Sequence, residues 1–153
     1  MLTIAKREFR GILLSNIIKF IHAKIVQYSI EVFGTDKLAF ELNENRIDIT
    51  YCGKPYENLS GGEKQKIDVI IQLALRDILS KQFNIHSNIL VLDEIYDNMD
   101  NIGCGNITRL ISGFTDIASV FIISHHTNDL EISYDTKLLV EKNANGISSI
   151  HFV

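Results

Sequence analysis

The stretch NILVLDE, residues 88–94, sets four consecutive apolar residues directly ahead of two acids. A continuous apolar run of this length, bounded by polar residues, predicts a strand buried on both faces, as parallel sheets bury theirs. Asp93 and Glu94 would then emerge at the carboxyl end of that strand, the edge where open α/β sheets place their ligands. Adjacent residues at a strand end point in different directions. One carboxylate is therefore placed to hold a magnesium ion, usually through water, while the other faces an attacking water as base. The plainer alternative is a solvated pair of acids at a strand terminus.

Reading outward, ASVFIIS (118–124) is a second continuous apolar strand, and residues 101–114 carry Ile107, Leu110, Ile111 and Phe114 on one helical face. Upstream, residues 60–80 form the clearest helix, with Ile67, Ile70, Ile71, Ala74, Leu75, Ile78 and Leu79 making one apolar stripe. Its start is marked by Ser60 with Glu63 three residues on, a capping box in which each side chain satisfies an otherwise free backbone N–H. Further upstream, LAFELN (38–43) and RIDITYC (46–52) read as a hairpin, and the only proline, Pro55, falls in the polar loop GKPYEN. From Phe9 to Val32 apolar residues recur at spacings of mostly three or four, a helix that Gly34 would end. TKLLVE (136–141) and ISSIHFV (147–153), joined through Asn143 and Gly146, look like a closing hairpin. Helices alternating with buried strands predict an α/β layered domain, mainly of parallel strands flanked by helices, spanning residues 1–153 as one unit.

Two further motifs carry chemistry. In LSGGE (59–63) a pair of glycines follows the N-cap, so a ligand can approach the backbone with no Cβ in the way. The first N–H groups of a helix lack partners within it, and the helix dipole favours an anion there. Ser60, Gly61 and Gly62 thus make a candidate phosphate site, to which Ser60 could add its hydroxyl. The alternative is a helix start and nothing more. In SHH (124–126), after the second apolar strand, His125 stands at the same sheet edge as Glu94, where it could bond a phosphate or orient water. Polar surface is the alternative, and no further ligand spacing makes the two histidines a metal site.

Composition bounds the possibilities. Of 153 residues 46% are apolar and 22% charged, which suits one globular domain with a real core. No apolar run approaches the ~18–20 residues of a membrane span, and MLTIAKREFRG is unlike a secretory signal, so a cytoplasmic protein is expected. Cys52 and Cys104 form no C-x-x-C pair and read as free thiols. A net charge of −4 argues against a surface built wholly for nucleic acid.

The order of the motifs, LSGGE opening a long helix, then ILVLDE, then DNMD (97–100), then FIISHH, resembles the C-terminal half of ABC-type ATPases: signature motif, Walker B strand, D-loop and switch histidine. KQKIDVIIQLALRDIL after LSGGE is similar to the helix of SMC-like heads rather than to transporters, whose signature usually reads LSGGQ with a following QRxxIARAL run. LDEIYDNMD looks like the SMC-type Walker B and D-loop with Met99 in place of leucine, and GKPYENLSGGEK resembles SbcC-like exonuclease subunits of bacteria and phages. The motif-bearing resemblance covers about residues 46–143, and residues 1–34 fit loosely as the returning end of that family's coiled coil.

The resemblance implies roles. Asp93 would bind Mg2+ and Glu94 would be the general base. His125 would sense the γ-phosphate, and Asp100 would lie in the D-loop that crosses to the partner head. Ser60, Gly61 and Gly62 would bind the γ-phosphate of ATP held by the opposite subunit. It further implies a DNA-repair ATPase with a second head in a homodimer, an SbcD-like nuclease and DNA reached through the complex, in the host cytoplasm if phage-encoded, with no membrane partner. No G-x-x-x-x-G-K-[ST] occurs, and neither Gly53-Lys54 nor Gly62-Glu63-Lys64 supplies one. An N-terminal lobe bearing that Walker A loop, in a longer chain or a separate one, is therefore expected, and the chain alone is expected to be inactive. Two other readings stand beside this one: a non-catalytic docking lobe, and a fragment of a transporter's nucleotide-binding domain.

Overall fold

A computed structural model describes residues 2–43, 46–125 and 134–153, with side chains from residue 15 onward. Helix α1 spans Leu2–Phe33, longer at its start than the apolar spacing alone predicts. Ile18, Ile21, Ile25, Tyr28 and Val32, three or four apart, form its buried stripe. It ends as expected at Gly34, whose φ of 71° turns the chain while its N–H reaches the Ile30 carbonyl at 2.9 Å. Strands β1 (Leu38–Asn43) and β2 (Arg46–Tyr51) pair antiparallel, with Leu38 opposite Tyr51. Cys52 and Gly53, both at positive φ, then make a two-residue hairpin turn into β3 (Lys54–Pro55). Pro55, expected in a loop, thus sits on a short outer strand, where the missing N–H costs nothing. A 3-10 turn, Tyr56–Asn58, leads to the next helix.

Helix α2 (Gly61–Phe83), strand β4 (Ile89–Asp93), helix α3 (Asn101–Ser112) and strand β5 (Ser119–Ile123) follow. Two strands, β6 (Leu138–Lys142) and β7 (Ser148–Phe152), form the last hairpin. The core lies between α1, α2, α3 and the inner face of β1, closed by Leu92, Ile95 and Tyr96. Helix α2 turns to it Ile67, Ile70, Ala74 and Ile78 of the expected stripe but departs from the rest. Val69, Leu73 and Asp77 are buried, whereas Leu75 and Leu79 are 42% and 46% exposed. The helix packs on α1 over one side and on α3 over another, so its buried arc is rotated from the most apolar line in the sequence.

Two expectations about the sheet are corrected. Among the described strands the only parallel pair is β4–β5, in register from Ile89 opposite Ser119 to Asp93 opposite Ile123. The remaining strands pair antiparallel because the turns joining them are too short for a crossover. Nor is the parallel pair buried on both faces. Leu90, Leu92 and Ile122 face the helices, while Ile89, Val91, Phe121 and Ile123 on the opposite face are 51–60% exposed. Helix α3 is the crossover between these two strands, and the core formed with the helices takes up Leu90, Leu92 and Ile122 while the other face stays bare.

Candidate functional site

The site is built where α2 begins. Ser60 caps the helix in extended conformation, and its Oγ accepts the Glu63 N–H at 3.3 Å. Glu63 answers through Oε2, which accepts the Ser60 N–H and the Ser60 hydroxyl, each at 2.8 Å. The backbone bond first and the hydroxyl bond second hold the Glu63 carboxyl below the usual carboxylate range. The capping box read from the sequence is therefore present. It also occupies the Ser60 hydroxyl proton, which the sequence reading had offered to a phosphate. By position, the amides of Gly61 and Gly62 have no acceptor inside the helix.

The same helix start packs on the turn after β4. A Cβ on Gly62 would lie 2.7 Å from the Asn98 carbonyl oxygen, while one on Gly61 would meet the Asn98 side chain at an ordinary 3.7 Å. One turn further, the Gln65 side-chain amide donates to the Glu94 carbonyl at 3.1 Å. Lys66 bonds Asp100 at 2.9 Å and sits 5.9 Å over the Phe33 ring at the end of α1. A Cβ on Gly103 would lie 2.3 Å from the Lys66 Cε, so glycine there makes room for the pair.

Asp93 and Glu94 stand exposed at the carboxyl end of β4, as expected. Glu94 takes φ 52°, in the left-handed region, and its N–H donates to the Ile123 carbonyl at 2.9 Å, which ties it to the end of β5. His125, two residues beyond β5, places Nδ1 3.8 Å from Glu94 Oε1 and 3.9 Å from Asp97 Oδ1. When protonated, the imidazole would pair with both carboxylates. The turn is anchored from below by buried Ile95 and Tyr96, and the Tyr96 hydroxyl is 2.7 Å from the Thr108 hydroxyl. Burial pushes the Tyr96 phenol up to about 12.

Asp100 caps α3, accepting the Gly103 N–H at 3.1 Å as well as the Lys66 ammonium. The Lys66 bond, followed by the Gly103 amide, lowers its carboxyl. Thus Glu94 and His125 are brought together, Gly61 and Gly62 are set against the turn that carries Glu94, and Asp100 is tied to α2. Ser60 bonds Glu63 rather than either acid. His126 lies outside the described residues. The sequence assigns no role to Gln65 or Lys66, and Asp97 and Asn98 enter it only as members of the DNMD motif. The first two lie three and four residues beyond Gly62, on the helix face that Gly62 presents, and that spacing was the available signal. Among the described residues no three His, Cys, Asp or Glu side chains gather so as to hold a metal ion by themselves.

No family model matches the chain. Over 153 aligned residues, 97% of this chain, it is 28% identical to the probable exonuclease subunit 2 of Escherichia phage T5. It is also 39% identical over 75 residues, 48% of the chain, to exonuclease subunit 2 of Escherichia phage RB69. A putative ABC transporter ATP-binding protein of Methanosarcina mazei is 27% identical over 90% of the chain. The chain spans 24% of the T5 protein, 13% of the RB69 protein and 31% of the archaeal one. Among solved structures, an SMC ATPase from work on ATP-driven dimerisation and DNA-stimulated activation superposes with a TM-score of 0.70 at 16% identity, over 92% of this chain and 88% of that one. The SMC head domain of Thermotoga maritima superposes at 0.55 with 22% identity, over 92% of this chain and 49% of its own. Phage exonuclease subunits and ABC-type ATP-binding proteins are thus relatives of this chain, and SMC heads share its fold.

Proposed function

We propose that this chain is the nucleotide-facing C-terminal lobe of an ATPase that acts in DNA double-strand-break repair or recombination and controls an associated nuclease. The observation that carries the reading is the joining of three elements at one edge: the glycine-rich start of α2 seated on the turn after β4, Glu94 on that turn, and His125 reaching Glu94 from the end of β5. Glu94 takes the role of base toward water and His125 that of sensor of the terminal phosphate. The amides of Gly61 and Gly62 receive the γ-phosphate of ATP held by a second head. With the capping box holding Ser60, these amides, more than its hydroxyl, supply the first contacts.

Asp93 suits a magnesium ion, which takes few protein carboxylates and completes its shell with phosphate oxygens and water. Exposed at the strand end beside Glu94, and in no cluster of three possible ligands among the described residues, Asp93 fits that habit better than a closed protein cage would. Bound there, the ion would offset charge on the phosphates. A lobe carrying the phosphate loop is required as partner. The bare apolar face of β4–β5 is consistent with such a lobe covering it. Two heads closing on shared nucleotides would make a two-fold assembly with two equivalent sites, and DNA and an SbcD-like nuclease would join through that assembly.

Mixing this chain with a phosphate-loop lobe is expected to give ATPase activity that neither has alone, and Glu94→Gln is expected to remove it. Turnover by this chain alone, or full turnover in the Glu94→Gln mixture, would falsify these roles. A docking lobe without catalytic duty would show assembly with no dependence on Glu94.

A further inference from the structure

Within the turn between β4 and α3, two residues other than glycine lie in the left-handed region, Glu94 at φ 52° and Asn98 at φ 57°. Asparagine tolerates that conformation, whereas glutamate adopts it where its surroundings impose it, and such sites concentrate where geometry matters to function. The backbone of Glu94 is held on both sides. Its N–H donates to the Ile123 carbonyl at 2.9 Å, and its carbonyl lies 3.3 Å from the Asp97 N–H, within the turn itself. The third contact comes from a different element. Gln65 of α2 donates its side-chain amide to the same carbonyl at 3.1 Å, across 29 residues of sequence. Gln65 lies one helical turn from Gly61 and Gly62, so the packing of those glycines on Asn98 also fixes where its amide arrives.

We infer that Gln65 is a positioning residue for Glu94: its amide, bonded to the Glu94 carbonyl, holds that residue in the left-handed conformation that presents its carboxylate toward His125 at the open edge. The inference rests on the reading of Glu94 as the base. Peptide orientation at Glu94 sets the direction in which its side chain leaves the strand end. Loss of the amide leaves the carbonyl to the Asp97 N–H alone, at 3.3 Å, and lets the carboxylate shift away from His125. A small displacement of the first turns of α2 is then passed directly to the base.

The test uses the complete head, assembled from this chain and a phosphate-loop lobe, with four variants compared for kcat, KM for ATP, ATP-dependent head dimerisation and thermal melting. Gln65→Leu keeps bulk and removes the donor, and kcat is expected to fall about tenfold or more, with KM and dimerisation within about twofold of the parent. Gln65→Lys offers a donor of similar reach and should recover most of the loss, while Gln65→Glu, which turns an acceptor toward the carbonyl, should not. The inference is overturned if Gln65→Leu turns over ATP like the parent, if lysine fails to rescue, or if kcat and dimerisation fall together, which would mark a helix-start defect. Should the leucine variant not fold, equal turnover of the lysine and glutamate variants overturns it. Glu94→Gln runs alongside. An active Glu94→Gln head removes the base and this inference with it, whereas an inactive one beside a fully active Gln65→Leu head removes the inference alone.

Discussion

At the scale of single residues, the two glycines of LSGGE are not equivalent. Gly61 has room for a methyl group, since an added Cβ would meet the Asn98 side chain at 3.7 Å. Gly62 has none, because the obstacle at 2.7 Å is a backbone carbonyl held in a turn. Gly62→Ala is therefore expected to destabilise the chain by about 1–3 kcal/mol, the range for forcing bulk into a packed contact. Gly61→Ala should stay within about 0.5 kcal/mol, as for substitutions that meet no such feature. Urea unfolding of the two variants decides the matter, and equal midpoints would mean that the turn carrying Asn98 yields freely. The capping box of Ser60 and Glu63 was legible because both partners lie within one helical turn. The bond from Gln65 to Glu94 was not. Nothing in a sequence says which carbonyl, 29 residues away, a glutamine will meet.

At the scale of elements, the helices were read well where neighbours on one face decide them and less well where two faces are buried. Helix α2 shows why. It buries Asp77, which no apolar periodicity would select, because α1 supplies two of its three partners. The Tyr28 hydroxyl donates to Asp77 at 2.6 Å, Lys24 lies 3.4 Å away and Arg76 3.3 Å. Burial first, and then the bond to Asp77, raises the Tyr28 phenol well above its ordinary value. A buried carboxylate so surrounded is satisfied, and one that loses a donor is not. Tyr28→Phe leaves packing nearly intact and removes the short bond, so it is expected to cost about 1–3 kcal/mol in chemical denaturation. The double variant Tyr28→Phe with Asp77→Asn should recover part of that loss, because the neutral amide needs less compensation. A double variant worse than the sum of the two singles would show that the charge of Asp77 is held mainly by Lys24 and Arg76.

At the scale of the whole molecule, the strands β4 and β5 were legible as apolar runs, but not the fate of their two faces. A run of four apolar residues says that both faces avoid water in the working protein, not that this chain supplies both covers. Here the helices cover Leu90, Leu92 and Ile122, and Ile89, Val91, Phe121 and Ile123 stay half exposed on the far side. That contrast yields a prediction separable from catalysis. Val91→Lys and Phe121→Lys place charge on a face that is solvated in this chain, so its own melting should change little, by about 0.5 kcal/mol or less. If a phosphate-loop lobe covers that face, each lysine becomes an ammonium with no partner in an apolar contact, a burden of several kcal/mol. At about 1.4 kcal/mol per tenfold, association should weaken by two orders of magnitude or more, and ATPase activity of the mixture should fall with it. Raising the concentration of the partner lobe should restore turnover, because the residues that face nucleotide are untouched. Undiminished association of both variants would place the lobe on another surface, and the exposed face would then need a different cover.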